Sequence, residues 1–205
     1  MATLAELKSE FGDIDIYLFD QLLRQRITSG MRVLDAGCGG GRNLVYLMRC
    51  GLDLWGVDED ASAIASARTQ ASALSPALGR DRFSVHAVEK LPFDASSFDV
   101  VLSSAVLHFA RDQAHWWAML AEMWRVLRTG GLLWSRLAST IGQESRVRPL
   151  GGRRYRVPDG SERFLVDEPF LAAATEKLGG QLADPIKTTV VQSTRSMTTW
   201  VLRKP

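Results

Sequence analysis

Short, almost wholly apolar runs alternate along this chain with longer stretches whose apolar residues recur every three or four positions. These are the signatures of buried strands and amphipathic helices. Arg32 to Ala36, Asp53 to Val57, Arg82 to Ala87, Phe98 to Ser103 and Gly131 to Leu137 read as strands. Helical spacing fills the intervals. Ile14, Tyr17, Leu18, Leu22 and Leu23 form a stripe within Ile14 to Ile27, before the first strand. Asp60 stands where it caps a helix through Ile64, Ala65, Arg68 and Ala71, and Gln113 to Arg128 sets Trp117, Leu120, Trp124 and Leu127 on one face. Such alternation predicts an α/β fold with a doubly wound parallel sheet.

After the fifth strand the pattern breaks. Residues 139–166 are polar, rich in glycine and proline and without clear periodicity, which predicts an inserted loop or lid, or a small subdomain. A helix from Asp167 to Leu178 follows. Asp184 to Gln192 and Ser196 to Leu202 are then extended with no helix between them, and read as a hairpin. With 205 residues the chain suits a single domain, 1–205, with residues 1–30 as an N-terminal helical cap.

Composition narrows the classes. Hydrophobic residues make up 46% and charged residues 23%, and the formal net charge is +2. A field that weak gives no argument for nucleic acid or an anionic membrane as partner. No segment approaches the roughly 18 apolar residues of a membrane span, and acids stand where a leader peptide would be basic and then apolar. The expectation is a soluble, cytoplasmic protein. The two cysteines, Cys38 and Cys50, form neither a metal set nor a disulfide framework, so no metal is expected, and Cys38 reads as a small residue filling a tight turn.

The chemistry concentrates between Arg32 and Leu44, where RVLDAGCGGGRNL joins a strand to a glycine-rich turn and a helix start. Gly37, Gly39 and Gly41 allow positive φ and close backbone approach to a ligand. A dinucleotide fingerprint would need its third glycine at position 42, where Arg42 stands. Asp58 ends the second strand, where a carboxylate can accept two hydrogen bonds from a ribose diol.

These residues resemble the first motif of the class I S-adenosylmethionine-dependent methyltransferases, (D/E)xGxGxG, at every fixed position from Asp35 to Gly41. Phe98-Asp99-Val100-Val101 resembles the fourth motif of that family, and the segment from His86 to Val101 its adenine-side motif. The resemblance covers about residues 31–137. It implies a Rossmann-like seven-stranded sheet in the order 3-2-1-4-5-7-6 with strand 7 antiparallel. It also implies S-adenosyl-L-methionine as cofactor and methyl transfer to a small-molecule acceptor. The GCGxGRN form of the turn is similar to the tellurite-resistance subgroup.

Carried over to this chain, the resemblance places Asp35, Gly37, Cys38, Gly39, Gly41, Asn43, Asp58, Glu59, Val88, Glu89 and Ser103 around the cofactor. Two departures stand out. Glu59 replaces a residue that is often apolar and lies on the adenine, and Ala87 replaces the aspartate that usually receives the adenine amino group. Glu89 is either its substitute or a solvated surface residue. A helix beginning near Arg42 would turn its N-terminus to the cofactor's carboxylate, with Arg42 or Asn43 either adding a contact or capping. His108 is a candidate catalytic base or a structural histidine, and Tyr17 a substrate contact or a core residue. His86 and His115 read as structural.

Two other classes stay open: an NAD(P)-dependent oxidoreductase, which shares the glycine turn and strand-end acid, and a non-catalytic S-adenosylmethionine-binding protein. Local charge adds one expectation. Six arginines fall between Arg146 and Arg163, and Arg153, Arg154 and Arg156 stand beside turn glycines; they read either as a solvated loop kept soluble by its charge or as a lid that recruits an anionic acceptor.

Overall fold

The computed structural model describes residues 3–192 and 194–205. Its first helices are α1 (Leu4–Phe11), started by a capping box between Thr3 and Glu6, and α2 (Ile16–Leu23), capped by Asp15. The α/β core follows as β1 (Arg32–Ala36), α3 (Val45–Arg49), β2 (Asp53–Asp58), α4 (Ala61–Leu74), β3 (Phe83–Val85), β4 (Phe98–Ser104), α5 (Gln113–Val126) and β5 (Leu127–Ala138). Beyond it come β6 (Arg148–Gly151), β7 (Arg154–Arg156), β8 (Glu162–Phe164), α6 (Glu168–Lys177), β9 (Gln181–Leu182), β10 (Lys187–Val191) and β11 (Arg195–Arg203).

The main sheet runs β10-β11-β5-β4-β1-β2-β3, with β9 also on β11. The strands from β3 to β5 are parallel, whereas β11 runs antiparallel to both β5 and β10. This is the expected seven-strand order, with β10 and β11 as its sixth and seventh strands. Period-two alternation distributes the core to both faces. Leu133 and Leu137 of β5 join Val101, Trp200 and α5 on one side, while Leu132 and Trp134 join Val33, Leu54 and Val100 on the other.

One sequence expectation shifts and one alternative is decided. The buried face of α5 is Trp116, Met119, Leu120, Met123 and Val126 rather than the Trp117–Trp124 stripe. Trp117 and Trp124 sit at the rim with Lys177 and Lys204 ammonium groups 4.1 and 5.6 Å from their rings, where an indole can keep one edge wet. For residues 139–166 the small subdomain, not the irregular loop, is the alternative the structure takes. They carry the small antiparallel sheet β6-β7-β8, tied at its base by a bridge between Ser139 and Val166. Only Phe164, at its end, is fully buried, 6.0 Å from the Trp116 ring, so the strands show no apolar periodicity to read.

Candidate functional site

β1 delivers the chain into the Gly37–Gly41 turn, which folds across the carboxyl end of β2. The Gly37 and Cys38 N–H groups both donate to the Val57 carbonyl, at 2.8 and 2.9 Å. Gly37 has φ +86°, and a Cβ there would lie 2.4 Å from Val106 Cγ2. Gly39 has φ +52° with nothing within 4 Å of its missing side chain, so the backbone faces open space. The Gly39 N–H donates to Asp58 Oδ2 at 2.8 Å, and the Asp60 N–H donates to Oδ1 at 3.0 Å. The carboxylate at the end of β2 is thereby held in place, with acceptor capacity left on each oxygen.

Above the turn lies a cleft of about 600 Å³ lined by Gly37, Gly39, Asp58, Glu59, Val88 and Glu89. Its far wall brings Val106, Phe109, Arg111, His115 and Met119 from the β4–α5 connection and α5 itself. Ala105 lines this cleft and also a second chamber of about 250 Å³. That chamber is built from His108, Ser139 and Gln143 on one side, Asp159, Ser161 and Arg163 on another, and Arg195 and Ser196 from β11.

His108 is 7% exposed. Its Nδ1 accepts from the Ala138 N–H at 3.3 Å, which leaves the ring proton on Nε2. Burial lowers its pKa to about 4, and the nearby Arg163 charge acts in the same direction. His108 is therefore a neutral donor at neutral pH. Gln143 is buried, and its Nε2 has no protein partner. The Arg163 guanidinium rests 4.8 Å from the Phe109 ring and its Nη1 donates to the Glu162 carbonyl. The Asp159 carboxylate accepts from the Ser161 hydroxyl and N–H, bonds that hold its pKa low.

Several expected site residues are used elsewhere. Gly41 packs on α4, where a Cβ would lie 3.6 Å from Ala67. The Asn43 side chain accepts from the Asp15 N–H at 3.0 Å, so it docks the N-terminal segment. The helix expected near Arg42 starts only at Val45 and runs 5 residues, because Gly41 to Leu44 forms a turn. Arg42 reaches the Asp13 carbonyl and Ser104 Oγ, at 3.0 and 3.2 Å. Asp35 and Ser103 are buried and line neither cavity, yet Asp35 Oδ1 and Ser103 Oγ have no protein partner. Burial raises the Asp35 carboxyl to about 7, against the opposing pull of Arg42. Burial also pushes the Cys38 thiol up, which keeps it protonated and un-nucleophilic.

Tyr17 is likewise outside both cavities. Its hydroxyl is 2.7 Å from Thr189 Oγ1, joining α2 to β10 beneath Arg136 and Lys187. The arginines expected on a lid already have partners, within their own subdomain and on the elements beside it. Arg153 binds Asp167 and covers the Phe170 ring, Arg154 donates to the Ala110 carbonyl, and Arg154 and Arg156 both reach Glu162. None of the three lines the chamber. Arg163 and Arg195 do, and with Gln143 they are lining groups that the sequence did not single out, while His115, expected to be structural, lines the cleft.

The methyltransferase domain family matches residues 34–135, the segment holding the turn, Asp58 and His108. The chain belongs to the class I S-adenosylmethionine-dependent methyltransferases. It is 32% identical over 106 residues to an uncharacterized methyltransferase of Synechocystis, covering 52% of this chain and 46% of that one. It is also 32% identical over 154 residues to a tRNA U34 carboxymethyltransferase of Idiomarina loihiensis, with 74% and 46% covered. A solved 1,6-didemethyltoxoflavin-N1-methyltransferase of Burkholderia thailandensis superposes with a TM-score of 0.72 at 18% identity, over 98% of this chain and 81% of that one. The chain spans about half the length of the curated relatives it matches.

This membership sets aside the nicotinamide-dependent alternative. The residues present fit S-adenosylmethionine on observations independent of it: the open path over Gly39 and the fixed Asp58 carboxylate at the edge of the cleft.

Proposed function

We propose that this protein transfers a methyl group from S-adenosylmethionine to a small acceptor carrying an anionic group, bound in the chamber beside His108. One observation carries the reading: the cofactor-sized cleft and the smaller chamber share Ala105 as a common wall. The cofactor supplies an electrophilic methyl group already activated by the sulfonium. The protein's work is then to hold the acceptor in line and to exclude water.

The chamber's charge supports the anionic class. Two guanidinium groups, Arg163 and Arg195, face it against one carboxylate, Asp159, and neither arginine is in an ion pair among the described residues. Gln143 Nε2 and the His108 Nε2 proton add neutral donors. Donors of both kinds suit a carboxylate or similar oxyanion. The size supports a small acceptor, since about 250 Å³ falls just below the usual range for drug-sized ligands. His108 serves here as an orienting donor, and an acceptor whose nucleophilic atom is already deprotonated needs no base.

The test is incubation with methyl-labelled S-adenosylmethionine and a panel of small metabolites matched in size, half anionic and half neutral, with mass analysis of the products. Labelled products confined to anionic members support the reading. Methylation of neutral members alone removes the anionic class, and cofactor binding without any transfer to either half favours a non-catalytic binding protein.

A further inference from the structure

Gln25, Ser96, Ala105 and Gln192 are the non-glycine residues with positive φ among the described residues, and of these only Ala105 borders the cleft and the chamber. Its φ of +63° lies in the left-handed region, where a Cβ is crowded against the following carbonyl oxygen. A glycine would take this conformation without strain. The chain instead keeps a methyl side chain on the wall that the two cavities share.

Neighbouring bonds hold the residue there. The Ala105 N–H donates to the Arg136 carbonyl at 2.7 Å, one residue beyond the last pairing of β4 with β5, Ser104 with Arg136. Arg136 is fixed in turn by its ion pair with the buried Asp15 carboxylate. Three residues on, His108 Nδ1 accepts the Ala138 N–H, so the chain leaving β4 is fastened to β5 at two points. On the cleft side, Val106 fills the space that a side chain on Gly37 would occupy. A strained residue persists where its surroundings over-determine the backbone, and such residues cluster at functional sites. A wall pinned in this way does not swing aside for a larger group.

Resting on the assignment of the cleft to S-adenosylmethionine and of the chamber to the acceptor, we propose that Ala105 is a specificity-determining residue that limits the transferable group on the sulfonium to methyl. Its Cβ narrows the passage from cleft to chamber. Calorimetric titration of S-adenosylhomocysteine, S-adenosylmethionine and the S-ethyl and S-propyl sulfonium homologues tests it. The proteins are the wild type, Ala105→Gly and Ala105→Asn, since glycine and asparagine are the residues that the left-handed conformation accepts most readily.

The wild-type protein binds the S-ethyl homologue about tenfold more weakly than S-adenosylmethionine, the scale for forcing one methylene against a fixed wall, and the S-propyl homologue more weakly still. Ala105→Gly removes most of that difference. Ala105→Asn weakens S-adenosylmethionine about tenfold while S-adenosylhomocysteine, which has no group in the passage, binds as before. Equal methyl and ethyl affinities in the wild type, or a methyl-to-ethyl ratio that Ala105→Gly leaves unchanged, would overturn the inference. So would equal weakening of S-adenosylmethionine and S-adenosylhomocysteine by Ala105→Asn. These ratios are read without an acceptor, so they are independent of the acceptor's charge class. Failure of the wild-type protein to bind S-adenosylhomocysteine at all would instead remove the cofactor reading on which the inference rests.

Discussion

The Asp58 carboxylate accepts a 2.8 Å hydrogen bond from the Gly39 N–H, so the acid that ends β2 also fixes the glycine turn of β1. A carboxylate suited to a ribose diol is therefore pre-oriented by the loop that lines the same cleft. Preorganisation of this kind lowers the ordering cost of binding.

Replacing Asp58 removes both functions together. Asp58→Ala is expected to weaken S-adenosylmethionine binding by about 1.5–3 kcal/mol, the range for lost bonds to a charged group. Asp58→Asn, which keeps an acceptor oxygen, should lose less. Titration of both variants checks the order, and an unchanged dissociation constant for Asp58→Ala takes the residue out of the site.

The chamber arginines and the subdomain arginines should separate cleanly. Arg163→Gln with Arg195→Gln is expected to raise the acceptor's KM about tenfold or more while leaving cofactor affinity almost unchanged, with the effect shrinking at high salt. Arg153→Gln instead loses its pairing with Asp167 and its cover over Phe170, at a cost of about 1 kcal/mol in stability, with acceptor KM little changed. The opposite assignment of effects would restore the sequence-based choice of Arg153, Arg154 and Arg156.

Two buried groups give opposing pH dependences. His108 has its folded pKa lowered from 6.5 to about 4, so it contributes stability above pH 6.5 that is lost as pH falls through about 4. Asp35 has its folded pKa raised from 3.8 to about 7, so its contribution is present below pH 3.8 and lost as pH rises through about 7. The two nearly offset one another in the ligand-free protein. Denaturant titrations between pH 4 and pH 7 should show stability rising with pH in Asp35→Asn and falling with pH in His108→Gln. Identical slopes in both variants contradict these assignments.

Much of the fold was legible because burial wrote it into the apolar runs. β1, whose last four residues are all buried, and β4, buried up to Ser103, have no solvent face to confuse the pattern. The terminal hairpin was readable from the missing helix between two extended stretches. The face of α5 was misjudged because Trp117 and Trp124 cover themselves with lysines at the rim rather than entering the core. The chamber was not legible. Gln143, Arg163 and Arg195 meet only because the Ser139–Val166 bridge and the antiparallel return of β11 fold three distant segments together. Composition alone pointed to the arginines beside turn glycines, whose charge Asp167 and Glu162 already use.

The cleft over Gly39 is the centre of the account, and calorimetric titration of S-adenosylmethionine into wild-type protein and Gly39→Val tests it most directly. A β-branched side chain at that positive φ is strained and fills the open path. The account predicts saturable one-site binding to the wild-type protein and its loss in the folded Gly39→Val variant. Binding of equal strength in both proteins, or none in the wild type, would contradict it.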